Sequence, residues 1–176
     1  MLSIVAGIAP ASGAQNGVGG HCGVDFKKPA HRVFADTTGK GRWIEYRSVA
    51  DAPDVNLDDG SIARTWGGSD GNTLVRIEKP GDDFSIYTDL CYDKSGELNW
   101  AGLEVRTAWG WGYREAGPVK DGAVAAESRE FFDIVKGTTI SKPDKANEIP
   151  EALKPRLYLE LAKLPFAKLL EPEKAK

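Results

Sequence analysis

Two histidines and two cysteines are all the imidazole and thiol chemistry this chain has. His21, Cys22, Asp25 and His31 lie close together and carry metal-ligating groups, but their spacing matches no Cys/His zinc pattern. They read as a solvated N-terminal arm, and no metal site is expected. Cys22 and Cys91 make an even pair, which in an exported protein reads as a disulfide. Closing so long a loop would stabilise the fold by about 4 kcal/mol in the chain-entropy model. In a reducing compartment the same residues would be two free thiols. Asp89 and Glu104 are the carboxylates best placed for paired acid–base work, with Arg76 and Arg106 beside them. Cross-strand ion pairs explain that set without catalysis, so no catalytic residue is assigned.

Other chemistry-bearing patterns are missing. Asp58-Asp59-Gly60, Ser69-Asp70-Gly71-Asn72 and Asp82-Asp83 lack the ligand spacing of an EF-hand loop and read as turns. There is no Gly-x-Ser-x-Gly elbow, no phosphate-cradling loop and no dinucleotide fingerprint. No cofactor is expected. Trp109, Trp111 and Tyr113 alternate with glycines. They could form a platform for a sugar ring or another flat ligand. An unbroken strand from Ala101 instead places them in the core with Leu103 and Val105. The core reading is preferred, and a bulge at either glycine would turn the next aromatic outward.

The elements that position these residues follow from hairpin arithmetic. Asp93-Lys94-Ser95-Gly96 reads as a four-residue loop with Gly96 at positive φ. Pairing Tyr92 with Glu97 sets Leu90 opposite Asn99, Ile86 opposite Leu103 and Phe84 opposite Val105. Pro80-Gly81-Asp82-Asp83 is a second turn, and pairing Lys79 with Phe84 sets Ile77 opposite Ile86 and Val75 opposite Thr88. Side chains alternate across a strand, so the two turns together deliver Val75, Ile77, Phe84, Ile86, Leu90, Leu103 and Val105 to one face. The other face receives Arg76, Glu78, Tyr87, Asp89, Cys91, Leu98, Trp100, Glu104 and Arg106. Tyr87, Leu98 and Trp100 form its less polar corner, the first candidate ligand surface. A Cys22–Cys91 bond would draw the N-terminal segment across that corner.

Shorter strands are expected at 33–35, 42–49 and 62–66. Gly117-Pro118 is read as the end of the sheet. Ala123–Val135 is read as a helix with Val124, Phe131, Phe132 and Val135 on one side and Gly137 as its C-cap. Residues 157–161 suit a strand or a helix, and Pro165 stops either; Leu169 and Leu170 dock a last turn. The fold class is therefore α+β: a single twisted antiparallel sheet, a meander, with a C-terminal amphipathic helix. The division is a leader over 1–14, an extended N-terminal arm over 15–32, a meander-plus-helix domain over 33–137, and a connector with docked C-terminal segment over 138–176.

The leader reading rests on an apolar run, Leu2 to Ala9, followed by small residues before Gln15, although the usual positive n-region is missing. A net charge of −3, with Lys and Arg spread along the chain, argues against a nucleic-acid partner. No apolar run has the length of a transmembrane segment. The segment Cys91-Tyr92-Asp93-Lys94-Ser95-Gly96-Glu97-Leu98, followed by Leu103-Glu104-Val105-Arg106-Thr107, resembles bacterial envelope proteins of unassigned function. Those carry an aromatic–Asp–x–x–Gly turn and a strand of the Glu-x-Arg-Thr type. The resemblance covers about a quarter of the chain. It implies a secreted β-meander and carries no catalytic residues across. The expected role is non-enzymatic: an exported domain, periplasmic or extracellular, that binds a small ligand or an envelope protein through Tyr87, Leu98 and Trp100, or through Trp109, Trp111 and Tyr113. The alternatives are a carboxylate-dependent hydrolase and a structural envelope protein whose apolar corner makes a homo-oligomer contact.

Overall fold

The computed structural model describes residues 18–55, 59–148 and 156–171. The expected leader over 1–14 lies outside them. One antiparallel sheet dominates, and its strands are β1 (Arg32–Asp36), β2 (Ile44–Tyr46), β3 (Ser61–Gly67), β4 (Thr73–Lys79), β5 (Phe84–Tyr92), β6 (Leu98–Thr107), β7 (Trp111–Lys120), β8 (Ala123–Val124), β9 (Ser128–Asp133) and β10 (Thr139–Ile140). Their spatial order is β10-β9-β7-β6-β5-β4-β3-β1-β2, with β8 on the far end of β7. The helices are single turns, α1 (Val18–His21) and α2 (Ala167–Leu170).

The central meander forms with a register two residues away from the hairpin arithmetic. Leu90 faces Ala101 rather than Asn99, and Ile77 faces Thr88 rather than Ile86. Two local features account for the first shift. The Asp93 N–H donates to the Glu97 carbonyl across Lys94-Ser95-Gly96, so the loop is one residue shorter than expected. The register then slips at Tyr92, which faces Leu98 while Cys91 faces Trp100, and exposed Asn99 is the extra residue of a bulge. A shift of two keeps every side chain beyond the bulge on its face. Leu98, before the bulge, is the exception: it turns to the face of Tyr92 and Leu90, away from Trp100.

Three expectations fail downstream. The strand from Ala101 does not run on to Tyr113; it reverses at Ala108–Gly110, and β7 returns beside β6 with Tyr113 opposite Val105. Gly117-Pro118 lies inside β7. Proline's missing N–H is tolerated there because β7 changes neighbours at that point, from β9 ending at Ala116–Ser128 to β8 starting at Val119–Val124. The helix over Ala123–Val135 is absent: the segment forms β8 and β9. The reason is Asp121-Gly122, both at positive φ (51° and 74°), a two-residue hairpin turn that folds β8 back onto β7. Phe131 and Phe132 then point to opposite faces, Phe131 towards Tyr113 and Phe132 buried beneath Arg114. Val135, expected on the buried stripe, is 89% exposed.

Each face has its own cover. On one, the tail face, Phe34, Ala63, Val75, Leu90, Tyr92, Leu98 and Ala101 pack against Leu164 and Phe166 of the C-terminal segment. Phe166 stacks on Phe34 at 4.8 Å between ring centres and meets Trp43 at 4.9 Å. Backbone bonds register the segment: Leu98 N–H to the Leu159 carbonyl (2.9 Å) and Leu161 N–H to the Gly96 carbonyl (2.8 Å). The Tyr92 hydroxyl donates to the Tyr158 carbonyl, and burial holds that phenol well above its ordinary range. On the other, the arm face, Trp66, Leu74, Cys91 and Ala116 pack against Val18 and Cys22.

Phe166→Ala empties the centre of the tail-face core and should cost about 3–5 kcal/mol. Leu159, earlier in the same segment and 49% exposed, is the control: Leu159→Ala should change stability by less than about 0.5 kcal/mol. Urea midpoints of the two variants test this, and equal midpoints would mean the segment does not hold the core.

Candidate functional site

The arm is attached to the sheet at several points. Cys22 and Cys91 are joined in a disulfide, and both are fully buried. Cys91 projects to the arm face because it lies an odd number of positions from Leu90 and Tyr92 on the tail face. The Trp66 indole N–H donates to the Lys28 carbonyl (3.2 Å), and the Gly67 N–H donates to His31 Nδ1 (3.1 Å). His21 stacks on Trp100 at 3.9 Å with its ring nearly parallel. The arm expected to be extended is thus docked and opens with the helical turn α1; of the residues expected to be solvated, His21, Asp25 and His31 are exposed and Cys22 is buried. Among the described residues, no group of three or more His, Cys, Asp or Glu side chains is gathered as a metal would require.

Beside the arm lies a cleft of about 120 Å³. Val18, Gly19 and Phe26 form its apolar wall, and Arg76, Asp89, Glu104, Arg114 and Glu130 supply the charge of its floor. Gly102 and Ala116 keep that floor low. A Cβ on Gly102 would come within 2.7 Å of Val18 Cγ2, so a larger residue there would lift the arm.

The floor is a ladder of ion pairs. Arg76 holds Asp89 through two bonds of 2.7 Å, Arg106 Nε donates to Glu104 at 2.5 Å, and Arg114 Nε donates to Glu130 at 2.6 Å. Arg64 continues it to Glu78 at 2.8 Å. Burial works against the charge on Arg76, but the field of Asp89 and its two hydrogen bonds outweigh it, so the guanidinium is held above its ordinary range. Arg76 also lies over Phe26, 4.4 Å from the ring centre, which ties the arm's aromatic ring to the floor. The Thr139 hydroxyl and then Arg114 hold the Glu130 carboxyl below its ordinary range.

The expected ligand residues are dispersed. Tyr87 sits on the arm face between the guanidiniums of Arg76 and Arg106, at 5.6 and 5.1 Å, and burial raises its phenol. Trp100 is on the same face but lies under His21, with its indole nitrogen buried and without a partner among the described residues. Leu98 is on the opposite face. Trp109 sits in the β6–β7 turn, 38% exposed, with Lys145 over its ring. Trp111 is buried between Trp109 and Phe131, and Tyr113 meets Phe131 at 5.2 Å. Tyr113 donates to Glu115, and burial first, then that carboxylate, pushes its phenol up to about 12. These aromatics pack on one another, and only Trp109 presents much ring to solvent.

Asp89, Glu104 and Arg76 were placed on one face by the sequence. Arg114, Glu130, Val18 and Phe26 were not singled out, because recognising the first two requires the hairpins at 108–110 and 121–122. The Asp121-Gly122 dipeptide is the signal that could have found them. No protein-family model, no curated protein and no solved structure matches the chain. Among the described residues no helix is long and apolar enough to cross a membrane.

Reducing the Cys22–Cys91 bond, or replacing both residues by Ser, should lower unfolding stability by up to about 4 kcal/mol. Denaturant melts of the oxidised and reduced protein measure it, and superimposed curves would show that the bond does not constrain the fold. A second test follows from Glu130. Its folded-state pKa is lowered, so its contribution is present above the ordinary glutamate value and is lost as pH falls through the folded one. Glu130→Gln should therefore lose on the order of 1 kcal/mol at pH 7 and nothing in strong acid. Melts at both pH values check the sign.

Proposed function

We propose that this chain is an exported, non-enzymatic binding module of the bacterial cell envelope, with its ligand site in the cleft between the arm and the sheet. The observation that carries this reading is the disulfide that pins an apolar arm beside a charged floor. A buried disulfide favours an oxidising compartment, in keeping with the leader-like residues 1–14. A concave site with an apolar wall and a few convergent polar groups is the usual form of a ligand pocket. This one is small, so the ligand, or the part of it that enters, is small.

The hydrolase reading is weaker. Each carboxylate of the floor is engaged by an arginine, and Glu130 is held down rather than raised, whereas a general acid must keep its proton near neutral pH. The oligomer reading relied on an apolar corner of Tyr87, Leu98 and Trp100. Leu98 lies on the opposite face, and His21 occupies Trp100.

Thermal melts of the oxidised protein against sugars, cell-wall fragments, lipids, peptides and amino acids should reveal a ligand. At about 100 times its dissociation constant it adds about 2.7 kcal/mol of stability. Phe26→Ala should reduce the shift while leaving the ligand-free protein folded. An unchanged shift in that variant would place the site elsewhere, and no shift across the panel would count against a small-ligand module.

A further inference from the structure

The geometry points to a small zwitterion of the α-amino acid class as the ligand of this cleft, its carboxylate on Arg114 and its ammonium on Glu104. This rests on the binding-module reading above and gives it a ligand chemistry.

The first argument is charge balance. Arg76 and Arg114 lie in the cleft with Asp89, Glu104 and Glu130, and Arg106 is bonded to Glu104. Glu115, which also lines it, is paired with Arg129, so each of the four acids of the lining is matched by an arginine and the site has no net attraction for a lone anion or a lone cation. A ligand carrying both charges leaves that balance intact and can satisfy both kinds of group.

The second argument is a pair that does not form. Glu104 and Arg114 are directly opposite on β6 and β7, a position where Cβ atoms are about 5 Å apart and opposite charges ordinarily join. Here each is drawn elsewhere: Glu104 Oε1 accepts from Arg106, and Arg114 Nε donates to Glu130. Among the described residues, Glu104 Oε2 has no donor and the terminal nitrogens of Arg114 have no acceptor. Glu104 and Arg114, paired in register and both lining the cleft, therefore each keep hydrogen-bonding capacity there. An α-amino acid presents the complementary groups on adjacent atoms. The guanidinium edge suits a carboxylate in two-point geometry.

The third argument is size. About 120 Å³ between Val18, Phe26 and the floor accommodates a molecule of few heavy atoms with a short apolar side chain. Alanine is the probe this implies.

The test is calorimetric titration and thermal melting of the oxidised wild-type protein with L-alanine, N-acetylalanine and alanine methyl ester. The two derivatives each remove one charge and need no variant. Alanine should bind, and each derivative should bind at least about tenfold more weakly. Glu104→Gln and Arg114→Gln should each weaken alanine by a similar factor. Equal binding of alanine and either derivative would overturn the two-point assignment. If alanine fails while another member of the panel shifts the melt, the ligand class is wrong and the binding module stands. If nothing shifts the melt, both readings fall.

Discussion

A single sheet has two faces, and a chain that folds mainly into one sheet must cover both with whatever lies outside it. Here the cover comes from the two ends. The C-terminal segment brings Leu164 and Phe166 to the tail face and is registered by backbone bonds at Gly96 and Leu98. Those bonds give it the character of an added strand fragment, and the Phe34–Phe166 stack fills the space behind it. The N-terminal arm has less to offer. Val18 is buried and Phe26 half-buried, while fixing each backbone residue costs about 1–2 kcal/mol. The disulfide removes part of that cost by restricting the unfolded chain, which is why a weakly packed arm can remain in place.

The covalent tether also shapes the site. Cys91 anchors the arm beside Trp100, and the helical turn from Val18 to His21 sets Val18 over Gly102 and Ala116. From there the chain runs to Phe26 over Arg76. The cleft is the gap left between this path and the ion-pair ladder. Arm and ladder depend on each other: Arg76 is positioned by Asp89, and Phe26 is positioned by Arg76.

What could be read in the sequence divides along the same physical lines. Between β4 and β5 the pairing moved by two residues from the expected one. Face assignment in β5–β6 survived because the shorter loop and the Asn99 bulge each moved the register by one residue, and two such moves restore the face. Leu98, caught between them, received only one and changed sides. The Cys22–Cys91 pairing was legible because the two cysteines are an even count in a chain with a leader-like start, and the register added only that the arm would cross the Trp100 corner. The Ala123–Val135 segment was misread because its apolar residues fit a helical stripe when taken alone. Asp121-Gly122 is stronger local evidence, since it demands a reversal that a helix starting at Ala123 cannot follow. Losing β9 from the reading hid Glu130, and losing the 108–110 reversal hid the position of Arg114 opposite Glu104.

That opposition explains why the ladder is more than surface decoration. In a simple cross-strand ladder, each acid would take the base facing it, and every charge would be used along the hydrogen-bonding direction. Arg76–Asp89 follows that rule. Arg114–Glu130 follows it too, and Glu104 departs from it because Arg106, on the same strand, reaches back to it. Both partners of the central pair are satisfied at one atom and open at another. The opening lies one row along from Asp89, Gly102 and Ala116, where the two small residues lower the floor. Unused hydrogen-bonding capacity at Glu104 and Arg114 therefore lies in the lining of the cleft, while that of Arg64 Nε lies outside it.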